Sequence, residues 1–126
     1  MTERLLRAVS NPFVDIIGHP TGRILLRREP YKLDVVALID AAAAAGVALE
    51  INCQIDRMDL SDANAKAARD RGVKIVISTD AHGVGGFRLM RWGVQVARRA
   101  WLTKEDVLNT RDVEGFKAGL RRNRRR

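Results

Sequence analysis

Apolar residues recur along this chain in two rhythms, one helical and one extended. Leu5, Leu6 and Val9 fall at helical spacing behind Thr2, so Thr2 to Val9 predicts a short helix with Thr2 as its N-cap, ended by Asn11-Pro12. Phe13 to Ile17 is a compact apolar run broken only by Asp15 and reads as a strand. His19 to Tyr31 carries two prolines and a glycine and predicts loop, with a short helical turn at Gly22 to Arg27. Asp34 to Ala45 is the clearest helix, its five consecutive alanines followed by Gly46 in the place of a left-handed cap. Val47 to Ile51 predicts a second strand and Asn52 to Leu60 a polar loop. Ser61 caps a helix over Asp62 to Arg71 that closes at Gly72, and Val73 to Ser78 is a β-branched third strand. The turn Gly83-Val84-Gly85-Gly86 leads into a helix over Phe87 to Arg99. Thr103 opens a TKED capping box before a short helical turn, and Asp112 to Leu120 predicts the last helix.

Strands alternating with helices of about ten residues define parallel βα units, so the fold class is α/β, with about three parallel strands and flanking helices. Three parallel strands cannot close a barrel, and left as an open sheet they expose long edges. The pattern fits part of an α/β barrel. At 126 residues the chain holds one domain, placed at 1–120, with a basic tail at 121–126.

Composition narrows the setting. The chain is 46% hydrophobic and 30% charged, which excludes wholesale disorder. No apolar run is long enough to span a bilayer, and the opening MTERLLRAVS lacks the apolar core of a secretory signal. A single cysteine, Cys53, forms no internal disulfide, so a cytoplasmic location is expected. The formal charge is +8, but RRNRRR at the C-terminus supplies five of the 23 basic residues. That tail is read either as a solvated end or as a non-specific attractor of phosphate backbones.

The chemistry gathers after the strands. Gly18-His19-Pro20 follows the first, Asn52 the second and Thr79-Asp80-Ala81-His82 the third; the chain's two histidines are both among them. In parallel α/β folds these carboxyl ends share one rim, which carries the site. Residues i and i+2 on an extended strand end point the same way, so Asp80 and His82 can address one ion. Mixed nitrogen and oxygen ligation suits zinc, manganese or iron better than magnesium. His19, Asp80 and His82 together are the minimum for one metal with an open position. The bland alternative has Asp80 capping the following helix and His82 incidental. Arg23 and then Arg57 are the candidates for phosphate, weighed against ordinary surface salt bridges. Asp15 is either a partner orienting His19 or the mate of a neighbouring arginine. Cys53 is either a ligand or a buried small apolar residue.

Gly18-His19-Pro20-Thr21-Gly22-Arg23, the Leu-Leu-Arg-Arg-Glu-Pro-Tyr run at 25–31, Leu49-Glu50-Ile51-Asn52, Asp56-Arg57 with Asp59-Leu60-Ser61-Asp62, Thr79-Asp80-Ala81-His82, and Ala97-Arg98-Arg99 with Trp101-Leu102 occur in that order. Together they resemble the C-terminal half of the PHP (polymerase and histidinol phosphatase) domain attached to bacterial and archaeal family X DNA polymerases, over about Met1 to Leu120. The resemblance implies part of a distorted seven-stranded (βα) barrel and a cluster of divalent ions, manganese or zinc foremost with iron or magnesium as alternatives. It implies cleavage of phosphoesters: 3′–5′ exonuclease action on DNA ends, or in other branches histidinol-phosphate phosphatase action. Matched by position, it assigns metal ligation to His19, Asp80 and His82; Asn52, after the second strand, is a candidate to support them from behind. The family's remaining ligands, including an N-terminal His-x-His element, have no counterpart here, and there is no polymerase domain. Cys53-Gln54-Ile55 and Ala100 also depart from the pattern.

The expectation is therefore a metal-dependent phosphoesterase domain of low activity alone, paired with a second polypeptide or a second copy that completes the barrel. Two rival readings are a non-catalytic basic module that binds nucleic acid, and a truncated remnant needing its partner half.

Overall fold

The computed structural model describes residues 1–124. It is an α/β fold with three parallel strands in one open sheet, order β1-β2-β3, flanked by six helices. In chain order these are α1 (Thr2–Ser10), β1 (Ile16–Ile17), α2 (Val35–Ala45), β2 (Ala48–Asn52), α3 (Asp62–Asp70), β3 (Ile75–Ser78), α4 (Met90–Arg99), α5 (Val113–Gly119) and α6 (Arg121–Arg124). Two 3-10 segments, Val84–Leu89 and Leu108–Thr110, lie either side of α4.

Local chemistry sets the boundaries. The Asp34 carboxylate accepts the Ala37 N–H at the start of α2, and Gly46 ends it in the left-handed region at φ 71°. Ser61 accepts from Asn64 N at α3, and Asp112 from Gly115 N at α5. β1 is shorter than its apolar run predicts. Asn11 closes a turn on Phe13 N through its side chain and on Val14 N through its carbonyl, and Phe13 is left exposed. The helical turn expected at Gly22 to Arg27 is instead a tight reversal, in which Arg27 N and Arg28 N both donate to Ile24 O. The glycines that precede α4 form a 3-10 helix, and α4 starts only at Met90. In TKED the capping acceptor is Asp106, which takes both Thr103 N and Thr103 Oγ1; the bonds close a turn with no α-helix behind it.

The pleat of β2 sorts its side chains onto two faces. Leu49, Ile51 and Cys53 join Ile17, Ile75 and Ile77 in the main core, against Leu38, Ile39, Val96 and Ala97 from the helices. Each such aliphatic side chain taken out of water contributes roughly 1.5–3 kcal/mol. On the opposite face Ala48 and Val76 meet Leu108, Ile16 and Phe116. Glu50 and Asn52 continue this face towards the carboxyl ends of the strands, so α5 covers its lower part and polar residues hold its upper part.

The outer edge of β3 is closed by the chain itself. Ile75 N donates to Asp106 O, and the Asn109 carboxamide pairs with both Ile77 N and Ile77 O, as a neighbouring strand would. The far edge of β1 carries no further strand among the described residues.

The expected tail at 121–126 is a tail only in part. The buried Arg121 guanidinium donates to Val9 O at 2.7 Å and Asn11 O at 2.9 Å. Arg122 binds Asp15 through its backbone N–H at 3.0 Å and through its guanidinium. These contacts tie the chain's end to α1 and β1; Arg125 and Arg126 lie outside the described residues. Burial raises the Asp15 carboxyl, but the Arg122 hydrogen bonds and the charges of Arg122 and Arg121 outweigh it, and the net shift is downward from 3.8. A depressed carboxyl contributes stability that is complete above its unfolded value and lost as pH falls through its folded one. Acidification below about pH 4 should therefore weaken the attachment of α6. Urea unfolding between pH 7 and pH 3 should show a steeper acid limb for the wild type than for Asp15→Asn, and equal slopes would refute the pairing.

Candidate functional site

Three loops leave the carboxyl ends of the strands. His19 follows β1 at φ 30° and Asp80 follows β3 at φ 51°, both in the left-handed region that non-glycine residues seldom occupy. Such conformations cost about 1–3 kcal/mol each and cluster at functional sites. Both side chains are exposed, as is His82.

What joins the loops is Glu50, a charged residue on a fully buried strand. Its Oε2 accepts His19 N at 2.5 Å and Asn52 Nδ2 at 3.4 Å, and its Oε1 accepts the Ser78 hydroxyl. Asn52 Nδ2 also donates to Asp80 Oδ2 at 3.2 Å. A continuous hydrogen-bonded chain thus runs from the His19 backbone through Glu50 and Asn52 to the Asp80 carboxylate. Gln54 adds a second tie, its Nε2 donating to Thr79 O at 2.7 Å and Asp80 O at 3.1 Å. The His82 ring sets Nδ1 2.8 Å from Asp80 O. Opposite a carbonyl, Nδ1 carries the proton, which leaves the Nε2 lone pair for another partner.

The loop bearing His19 is held from beneath. Asp59, fully buried, accepts Thr21 N and Gly22 N at 2.9 Å each through Oδ2. Burial pushes its carboxyl up from the ordinary range, against the opposing pull of those bonds and of Arg23. Asp59 Oδ1 and Thr21 Oγ1 meet no partner at hydrogen-bonding geometry among the described residues.

Two expected substrate residues differ in what they are free to do. Arg23 spends its guanidinium on backbone carbonyls, Nε to Arg57 O at 2.8 Å and Nη2 to Met58 O, so it clasps two loops together. Arg57 forms no ion pair among the described residues. Asp15 does not serve His19: it sits at the opposite end of β1, paired with Arg122. Of the two roles read from sequence it has the second. Cys53 is buried in the main core, on the face away from Glu50, and burial pushes its thiol up to about 11. It stays protonated at neutral pH, as a small apolar core residue does.

Among the described residues, no three His, Cys, Asp or Glu side chains are gathered so as to hold one ion. In kind the donors suit a divalent cation: an exposed carboxylate, and an imidazole whose second nitrogen is oriented by a carbonyl. In number they fall short of a closed site, because the Glu50 carboxylate is consumed by its three donors.

Glu50 and Asp59 stand in the motifs that carry the resemblance and Gln54 in a stretch that departs from it, but the sequence alone assigns none of the three a role. The signal for Glu50 was present: in V-A-L-E-I-N the acid stands two residues before Asn52 inside an apolar run, and so shares its face.

No family model matches the chain. It is 41% identical over 121 residues to the DNA polymerase/3′-5′ exonuclease PolX of Bacillus subtilis, covering 96% of this chain and 21% of that protein. A probable phosphatase of Thermoanaerobacter sp. (strain X514) is 34% identical over 131 residues, covering 99% of this chain and 51% of the relative. A probable phosphatase of Shewanella sp. (strain ANA-3) is 38% identical over 96 residues, covering 68% of this chain and 35% of the relative. The chain thus spans about half or less of the length of these relatives. An exonuclease and phosphatases among its homologues support the resemblance to a PHP-type phosphoesterase domain. No helix among the described residues is long and apolar enough to cross a membrane.

Proposed function

We propose that this chain carries part of the divalent-metal centre of a phosphoesterase that acts on DNA 3′ ends, the other ligands belonging to the region of its relatives that this chain does not match. The observation that carries this reading is the hydrogen-bonded chain from His19 through Glu50 and Asn52 to Asp80, which ties together the loops of all three strands. The similarity to an exonuclease and to phosphatases supports the same chemistry. In this reading Asp80 and His82 Nε2 are ligands to manganese or zinc, and His19, which is not gathered with them in the chain alone, becomes a third only when the rest of the site is in place.

A divalent ion in such a site supplies a Lewis acid and a more acidic bound water. The chain's own residues prepare the position. Asn52 fixes one oxygen of Asp80 and leaves the other free, the Asp80 carbonyl sets the His82 tautomer, and Glu50 holds His19 in its left-handed conformation. Arg57 offers a cation to the phosphate, while Arg23 keeps its loop in place.

Calorimetric titration tests this. Manganese or zinc should bind the protein alone weakly, and more tightly once the unmatched region of a relative such as the Thermoanaerobacter phosphatase is added as a separate polypeptide. The mixture should then hydrolyse a diester and shorten a DNA strand from its 3′ end. His82→Ala and Asp80→Asn should each reduce metal affinity at least tenfold. A chain that binds neither ion, with or without the added polypeptide, overturns the proposal.

A further inference from the structure

Beside the rim lies a cleft of about 800 Å³ whose apolar walls are Leu25, Leu26, Ile55, Met58 and Leu89. From its position and chemistry we infer that this cleft receives the nucleobase of a nucleotide whose phosphate lies at the Asp80–His82 rim. The inference rests on the phosphoesterase reading for the phosphate end and on the cleft alone for the base.

The cleft is built rather than incidental. Its two main walls come from separate loops joined backbone to backbone, Leu25 N donating to Asp56 O at 2.5 Å. Leu26 stands at the tip of the reversal closed on Ile24 O, in the left-handed region at φ 61°, and is fully exposed. A β-turn tip ordinarily takes glycine or asparagine at such a φ. Here strained backbone displays a leucine to water, opposite Ile55 at 56% exposure. Exposed apolar surface gathered beside polar groups marks a binding site.

The polar residues specify the occupant. Gln54 lines the cleft while its Nε2 is fixed on Thr79 O and Asp80 O, so one side chain separates the cleft from the candidate centre. Its Oε1 accepts no hydrogen bond among the described residues and is available to a base N–H. Asp56 and Arg27, both exposed and without an ion pair among the described residues, supply an acceptor and donors at the margin. The Asp56 carboxylate repels a second phosphate, so the uncharged, flat end of the ligand enters. Aliphatic walls suit the faces of an aromatic ring, and a small alkyl phosphate has no such face to lay on them.

Methyl-labelled protein titrated with thymidine 5′-monophosphate and, separately, with deoxyribose 5-phosphate tests the base directly by NMR. Leu25, Leu26 and Ile55 methyl resonances should move with the nucleotide and not with the sugar phosphate, and Leu26→Asp and Ile55→Asp should each weaken nucleotide binding at least tenfold. Both positions are exposed, so either variant should keep the wild-type fold. Comparing a short DNA strand with its abasic-ended equivalent then separates a strand end from a free nucleotide: preference for the intact strand assigns the base to a 3′ end, and preference for the mononucleotide assigns it to a free ligand. Equal shifts with the sugar phosphate, or unmoved cleft methyls, overturn the inference. If the methyls respond but no phosphoester is cleaved with any divalent ion and added partner, the phosphoesterase reading falls and the cleft stands. If cleavage occurs equally on intact and abasic ends and is untouched by both variants, the cleft assignment falls and the phosphoesterase reading stands.

Discussion

Replacing Glu50 with alanine is expected to destabilise the protein by about 3 kcal/mol, a large share of the roughly 5–15 kcal/mol that holds a domain of this size together. Removing the carboxylate leaves the Ser78 hydroxyl and the His19 N–H without an acceptor and strips the Asn52 amide of one of its two. An unpaired buried donor costs about 1–3 kcal/mol, and water reaches His19 more readily than Ser78. Glutamine is the discriminating control. Its carbonyl can accept His19 N and Asn52 Nδ2, and its amide can donate to Ser78 Oγ, so Glu50→Gln should lie within about 1 kcal/mol of wild type. Urea unfolding of the three proteins measures both. If glutamine costs as much as alanine, the negative charge rather than the hydrogen-bonding pattern holds the rim together.

α2, α3, β2 and β3 are legible because they rest on local signals: Asp34 and Gly46 frame α2, Ser61 starts α3, and β-branched residues mark β3. The rim was legible for one reason of topology, since residues after parallel strands meet at one end whatever lies between them. What stayed hidden depends on contacts between distant residues. Nothing near Asn109 in the sequence shows that its side chain serves as a strand edge for Ile77. The arginines at 121 and 122 resemble their neighbours at 124 to 126, yet they are distinguished by Val9, Asn11 and Asp15, more than 100 residues earlier. Arg23 sits in a motif that suggests phosphate, and only the fold shows its donors occupied by the loop at 57–58. Deleting 121–126 to test nucleic-acid binding therefore also removes structural contacts, and substitutions at exposed arginines are the cleaner probe.

The second large effect belongs to Gly93, in the middle of α4. On helix propensity alone, alanine there should stabilise by about 1 kcal/mol. The packing reverses the sign. A Cβ at this position lies 2.3 Å from Cys53 Sγ, just past the end of β2, and 2.6 Å from Ile77 Cγ2 on β3. Inserting a methyl group into a filled core costs about 1–3 kcal/mol or more, so Gly93→Ala should lose about 2 kcal/mol net and Gly93→Val about twice that. Cys53→Ala removes the nearer obstacle. In a wild-type background it leaves a small void, whereas beside Gly93→Ala it relieves the clash, so the double variant should recover at least 1 kcal/mol relative to the sum of the singles. Additive losses in that cycle, or a Gly93→Ala protein more stable than wild type, would mean that α4 does not rest on β2 and β3 at this distance. Because only the 3-10 helix Val84–Leu89 separates α4 from the segment that carries Asp80 and His82, the metal centre proposed above predicts in addition weaker metal binding by Gly93→Ala and its partial return in the double variant.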